Sequence, residues 1–400
     1  MFEVFEVNTI EELRTYQLAW EELWNRGRSK RFQLSFPWLE AYWKHAGADR
    51  KLKVLVATLA GRVIGILPLV KKKSESRLGP LNVLTYPLDG WGCWFGPVGP
   101  NSAATLTAGM RYLSKSKKGW DLLDFSYTDR DRLDLGRTTT AARNMGWSNL
   151  ERIWESVPFI QLGESWDQFL NGKSEKKVNQ ILAAQAEFSS LGSLKLQHYR
   201  SDISDRNEVD LFLQTWQEIA KAGDETALEE LPMALAMAQA ADESLLLDLS
   251  ILTINNKPVA ATMGFVHPHG LEIVRSVAIP EQPAAIESVL LGRLLEQSLL
   301  LEDESVEICP ACSLAETARS LWATKMLSSY RYSCAPLSHI RSAALLKYHA
   351  ATTPRVSQKR ISEPLHDTKK IPEKKRAAPV VSRSNRKDTA SQTPQLKIFG

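Results

Sequence analysis

The segment Lys53–Lys73, KVLVATLAGRVIGILPLVKKK, decides the fold class. Apolar and polar residues alternate through two β-branched runs, and Ala60-Gly61 sits where a tight turn would join them. The segment therefore predicts a half-buried hairpin. Roughly 195 residues later the plan recurs in Leu245–Val266, LLLDLSILTINNKPVAATMGFV, with the turn at Asn255-Asn256. One hairpin written twice, each time after helical stretches, predicts a body made of two like halves.

The flanking segments carry the same plan. Before the first hairpin, Leu13, Tyr16, Trp20 and Leu23 recur at helical spacing, and FPWLEAYWKHAG follows as a second helix. Before the second hairpin, SEKKVNQILAAQAEFSSLG reads as a helix from an N-cap at Ser174 to a stop at Gly192. Val209, Phe212, Trp216 and Ile219 mark the next helix. After the first hairpin, WDLLDFSY is a strand, followed by RDRLDLGRTTTAARNMGW. After the second, LEIVRSVAI is a strand, IESVLLGRLLEQSLLL a helix, SVEIC a strand and LAETARSLWATKM a helix. Interleaving of this kind predicts an α/β fold, with a first half over 1–155 and a second over 156–348.

Apolar content of 44% and charged content of 24% are those of a globular protein. No run of eighteen apolar residues suggests a membrane span, and MFEVFEVNTIEELRTY has acids where a signal peptide needs a basic start. A cytoplasmic location is the default expectation. The net charge of +4 is unevenly spread: Ala351–Gly400 holds 12 Lys+Arg against 4 Asp+Glu. Residues 349–400, rich in Pro, Ser and Lys, lack apolar periodicity and read as a disordered basic tail. KKIPEKKR could meet an anionic partner, although a solubilising tail explains it as well and nucleic acid is not the expected partner.

Four cysteines do not make a disulfide framework. Cys309 and Cys312 nonetheless form a C-x-x-C in SVEICPACSLAETARSLWATK, the spacing of a dithiol redox site or of half a zinc site. Too little chain follows for a thioredoxin-like domain, and Cys334 alone does not complete a zinc site. The stretch reads instead as the last strand and helix of the second half.

Over roughly residues 5 to 345 the chain resembles the CelD-like acetyltransferases of the GNAT (acyl-CoA N-acyltransferase) superfamily. The resemblance rests on QLSFPWLEAYWKHAG, through Phe36, Trp38 and Trp43; on NGKSEKKVNQILAAQAEFSSLGSLKLQHY; on QTWQEIAKAG; and on LWATKMLSSYRYS. It implies two tandem GNAT-like halves, each a mixed twisted sheet flanked by helices, with the second binding acyl-CoA. The implied activity is acyl transfer to an amine or hydroxyl, possible acceptors being polysaccharide or cell-envelope precursors. A pyrophosphate would rest on backbone N–H groups at a helix N-terminus, here from Ala284 through Ala285, Ile286 and Ser288 to Val289, with Arg275 and Arg293 as side-chain contacts. The chain departs from the family there. Ser276 takes a Lys position, Ile279-Pro280 a Tyr-Asp, and Glu287-Ser288-Val289 a Ser-Pro-Gly, which removes a glycine and adds a negative charge at the cradle. Arg319 is the nearest stand-in for a later Lys, and Gln217 replaces the Lys beside Trp216. These departures keep open a second reading, a catalytically eroded binding or assembly protein.

Other residues could carry chemistry. His267, His269 and Glu272 in HPHGLEIVRS offer a general base, or simply a polar loop; no further ligands complete a metal site around H-x-H. By the resemblance, Tyr330 or Tyr332 would protonate a departing thiolate. PLDGWGCWFGPVGP places Trp91, Trp94 and Phe95 among four glycines, either as an acyl or sugar platform or as a loop pinned by its own rings. It is not a dinucleotide fingerprint. Lys173, Lys176 and Lys177 could meet the 3′-phosphate of CoA or an anionic acceptor, or be plainly solvated.

Overall fold

The turns at the two hairpins form because both central residues adopt positive φ. Ala60 and Gly61 lie at 50° and 77°, Asn255 and Asn256 at 51° and 63°, the twist a two-residue hairpin needs. The computed structural model describes residues 2–116, 119–223, 225–280 and 285–352. Ala284 and residues 353–400 of the basic tail fall outside them.

The first half opens with β1 (Phe2–Val7), α1 (Ile10–Leu13), α2 (Gln17–Arg26) and α3 (Phe36–Ala46). Thr9 caps α1 by accepting from Glu12 N–H, and Ser35 caps α3 by accepting from Trp38 N–H. Then come β2 (Lys51–Leu52), β3 (Val54–Leu59), β4 (Arg62–Leu67), β5 (Val70–Ser74), β6 (Leu81–Thr85), α4 (Ser102–Lys115), β7 (Leu122–Thr128), α5 (Arg137–Asn144) and β8 (Ser148–Gln161). β1, β3 and β4 form a small antiparallel sheet, while β2 and β5 carry the chain into a second, larger one.

The second half contains α6 (Trp166–Asn171), α7 (Glu175–Leu191), β9 (Leu194–Arg200), α8 (Val209–Ala222), α9 (Glu225–Glu243), β10 (Leu247–Ile254), β11 (Lys257–His267) and β12 (Gly270–Ala278). After these come α10 (Ile286–Leu300), β13 (Ser305–Ile308), α11 (Ala315–Thr317), β14 (Lys325–Ala335) and α12 (Ile340–Thr352). Of the helix expected over LAETARSLWATKM, Ala315–Trp322 is helical, α11 passing into a π-helical turn, and β14 begins at Lys325.

The large sheet has eleven strands in the order β2-β5-β6-β7-β14-β8-β13-β12-β11-β10-β9. Each half builds antiparallel strands up to one parallel pair, β6 with β7 and β12 with β13. The last strands are exchanged. β14 lies between β7 and β8, and β8 lies between β14 and β13. The expected boundary near residue 155 thus falls inside β8. All described residues belong to one compact unit, and the largest of its three apolar clusters runs across the halves, with the Phe32 and Phe265 rings 4.7 Å apart. No helix among the described residues is long and apolar enough to cross a membrane.

Candidate active site

A parallel strand pair that diverges leaves backbone groups needing partners, and the two halves meet this need differently. In the second half β13 ends at Ile308 while β12 runs on to Ala278. The gap is closed by the turn carrying the two cysteines. Cys309 N–H donates to Ile273 O (2.8 Å), the Ser276 and Ser313 hydroxyls meet at 2.5 Å, and Cys312 Sγ donates to Ser276 Oγ (3.5 Å). The Arg275 guanidinium stacks 3.8 Å from the Trp91 ring centroid, donates to Gly90 O (2.9 Å) and pairs with Glu230 (2.6 Å). The loop Pro87–Pro100 of the first half therefore packs against the place where the second half's strands part.

Beneath it lies a buried charge cluster joining the halves. Register places Glu272 of β12 opposite Glu307 of β13. Arg31 bridges the two carboxylates, pairing with Glu272 and, at 2.8 Å, with Glu307. Gln33 Nε2 and Cys93 N–H also donate to Glu272; Trp94 Nε1 (2.7 Å) and Arg132 (3.1 Å) donate to Glu307. Burial alone would raise the Glu307 pKa, but Arg31 and then Arg132 hold it down to about 2. Cys93, Glu272 and Glu307 could offer three ligand atoms within 4.8 Å of one another, yet Arg31 already supplies the cation there.

This frame places the residues singled out from the sequence. His267, at the end of β11, is buried, and burial followed by Arg31 pushes its pKa down to about 3, so it stays neutral. Glu272 is clamped as described. Tyr330 lies on β14 under the Arg130 guanidinium, 5.2 Å from its ring centroid, with burial raising its pKa. His267 and Glu272 thus share the Arg31 cluster, while Tyr330 keeps company with Arg130. On α10, Ala285 is the N-cap, Ile286 is buried, Ser288 Oγ has no hydrogen-bond partner among the described residues, and Arg293 pairs with Glu296 at 2.8 Å. Glu287 accepts from Thr317 Oγ1 (2.6 Å). Lys173 donates to Trp322 O (2.7 Å), and burial followed by Lys177 lowers its pKa to about 8. Trp216 is core.

In the first half the parting of β6 and β7 is spanned by the loop Pro87–Pro100, which leaves a narrow cleft. β6 ends at Thr85, Phe95 N–H pairs with Tyr127 O (2.8 Å), and Val98 forms an isolated bridge to Ile66. Between them is a narrow cleft of about 60 Å³. Trp24, Tyr86, Trp94 and Phe95 wall it, Thr128, Asp129 and Asp134 supply polar groups, and Arg28, Ser29 and Ser102 of the first turn of α4 complete it. A Cβ built on Gly96 meets nothing within 4 Å. Tyr127 holds φ at 59°, a conformation a bulky residue rarely adopts, and a bulge in the β7–β14 pairing falls between Tyr330 and Tyr332, beside it. Together they turn the end of β7 so that Thr128 and Asp129 line the cleft. Asp129 is buried and accepts from Arg132 N–H (2.9 Å) and Nε (2.6 Å); burial raises its pKa in spite of Arg132.

The rings of the loop PLDGWGCWFGPVGP pack into the body, and part of the loop also faces the cleft. Trp91, Trp94 and Phe95 are buried, and Trp94, Phe95 and Gly96–Gly99 also line the cleft. Its signal was legible as glycines leading into the helical SAATLTAGM; Asp129 had none, because only the bulged end of β7 brings it in.

No protein-family model matches the chain, and no curated protein sequence matches it. Solved structures do. A conserved protein of unknown function from Bacteroides thetaiotaomicron aligns over 84% of this chain and all of its own at 14% identity, with a TM-score of 0.51. FemX aligns over 82% of this chain and 96% of its own at 9% identity (TM-score 0.49). A tandem GNAT protein from the clavulanic acid biosynthesis pathway aligns over 84% and 98% at 13% (TM-score 0.40). The first of these is a likeness of fold; in this chain each half leads antiparallel strands into one parallel pair of a mixed sheet flanked by helices.

Proposed function

We propose that the protein is a GNAT-type acyltransferase whose reaction centre is the first-half cleft. The observation that supports this most is the contrast between the two partings: that of β12 and β13 is filled by Arg275, Cys312 and Ser313, while that of β6 and β7 opens onto Asp129. An acyl-CoA thioester would lay its anionic pyrophosphate toward the N-terminus of α4, where unpaired N–H groups and the helix dipole favour negative charge, with Arg28 nearby. The acyl end would enter between Trp24, Tyr86, Trp94 and Phe95. Asp129, its pKa raised by burial, would accept the proton of an attacking amine or hydroxyl, and the departing thiolate would take a proton in turn. Membership of the CelD-like branch and a polysaccharide or envelope acceptor belong to the same proposal.

The test is calorimetric titration with acetyl-CoA and CoA, followed by transfer assays on acceptor panels. Gly96→Phe should fill the cleft and abolish binding. Asp129→Asn should leave binding intact and slow transfer by about 10²–10⁴-fold. If Arg293→Glu abolishes binding and Gly96→Phe does not, the donor site lies on α10 of the second half. No binding at millimolar ligand would leave the chain as a GNAT-fold binding protein.

A further inference from the structure

Register places Arg331 of β14 directly opposite Arg152 of β8. Like charges in that position repel and destabilise a strand pair. Arg331 is compensated: it donates through Nε (2.8 Å) and Nη2 to Asp124, whose Oδ1 also accepts from Ser333 Oγ (2.7 Å). Its guanidinium lies 4.5 Å from the Trp154 ring centroid. Asp124 is thereby used up, and Arg152 Nε, shielded from solvent, has no hydrogen-bond partner among the described residues. Burial and then Arg331 pull the Arg152 pKa below the ordinary arginine value.

These groups border a cavity of about 480 Å³ between α12 and the sheet. Arg77 enters it from the β5–β6 connection and His349 from α12; of the carboxylates lining it, Asp124 is engaged and Glu75 is exposed at the rim. Ser74, Ser76 and Ser333 add hydroxyls, and the rest of the wall is aliphatic: Leu81, Val83, Leu122, Leu345 and Leu346. The cavity shares no lining residue with the first-half cleft. Three guanidiniums with one carboxylate neutralised in place, set against leucines and a valine, describe the receptor for an anion carrying an apolar body.

We propose that this cavity binds a phosphate monoester with a short apolar substituent, its phosphoryl group lying between Arg152 and Arg77 and its hydrocarbon against Leu81, Val83 and Leu345. Arginine forks suit phosphate because they give paired, charge-assisted hydrogen bonds. The assignment does not depend on the acyltransferase reading.

The experiment titrates the full chain with hexyl phosphate, inorganic phosphate and hexanol, and records thermal unfolding with and without each. Hexyl phosphate should bind one to one, at least about 10-fold more tightly than inorganic phosphate, the gain from burying two methylene groups. Hexanol should not bind. Arg152→Met should weaken hexyl phosphate binding by about 10-fold or more while leaving the unliganded melting temperature equal or higher, since it removes a repelled charge. Arg77→Lys, at an exposed position whose guanidinium also donates to Tyr348 Oη of α12, should weaken binding by losing the arginine fork while keeping the charge. Unchanged affinity in Arg152→Met, or a lower unliganded melting temperature for it, would overturn the site. Equal affinity for phosphate and hexyl phosphate would overturn the aliphatic half of the assignment.

Discussion

Replacing Arg31 by Met tests whether the buried cluster locks the two halves together. Among the described residues Arg31 is the one cation paired with Glu272 and one of two on Glu307, and all three residues are buried. Removing one partner of a buried pair costs about 3–5 kcal/mol, because the charge left behind is uncompensated. With a urea m-value near 3 kcal/mol/M for a chain of this size, the unfolding midpoint at pH 7 should fall by about 1 M or more. The acid profile gives an independent reading. The Glu307 pKa falls from an ordinary 4.5 to about 2 in the folded state, a difference of about 3 kcal/mol. A folded pKa below the unfolded one means that this stability is present above pH 4.5 and lost as pH falls toward 2. In Arg31→Met that acid-side loss should shrink, since the carboxylate then keeps only Arg132 of its two paired cations. The triple variant Arg31→Met/Glu272→Gln/Glu307→Gln should recover much of the midpoint, because neutral partners leave no charge stranded. Urea melts at pH 3, 5 and 7 measure all of this. A midpoint shift in the single variant below about 0.3 M, with an unchanged acid profile, would refute the idea that the cluster fastens the halves.

Two further outcomes follow from the geometry. A Cβ at Gly270, whose φ is 133°, would lie 1.9 Å from Ser305 O at the start of the β12–β13 pairing, whereas one at Gly96 meets nothing. Gly270→Ala should therefore lose about 3 kcal/mol or more, with Gly96→Ala within about 0.5 kcal/mol of wild type; similar urea midpoints for the two would contradict this. The four cysteines are free and buried, and burial pushes the Cys312 pKa up to about 11. Ellman's reagent at pH 8 should find no fast thiol in the native protein and all four in urea; two fast native thiols would restore a redox role for C-x-x-C.

The repeated hairpins were legible because their signal is local. Alternation over Lys53–Lys73 and Leu245–Val266, with turn residues between, needs no knowledge of the rest of the chain. The same holds for α7, α8, α10, β7, β12 and β13, whose periodicities match the elements that form. β8 and β14 were hidden for a different reason. SNLERIWESVPFIQ contains Pro158 and mixes charged with apolar residues, and β14 starts at Lys325-Met326, the end of a segment with helical spacing; each strand forms with a partner more than 150 residues distant. The open cleft was obscured likewise. Family resemblance drew attention to α10, whereas the polar groups of the cleft come from the strained end of β7, and no local pattern marks Tyr127 as left-handed. The strand expected over SVEIC ends at Ile308 and is not the last of its half, because β14 follows; Cys309 and Cys312 lie in the turn after it, and their effect is to close the second half's gap.

The exchange of β8 and β14 also bears on how the chain is made. Arg331 meets Asp124 across 207 residues, so a nascent chain that has completed Ser148–Gln161 still lacks the strand that belongs between β7 and β8. Until Lys325–Ala335 leaves the ribosome, both flanking strands present bare edges, the surface on which sheets from different molecules join. The first-made half must therefore wait, partly assembled, for the last strand to be synthesised. Ribosome-bound chains stopped short of residue 335 should be the most protease-sensitive and chaperone-dependent forms of this protein.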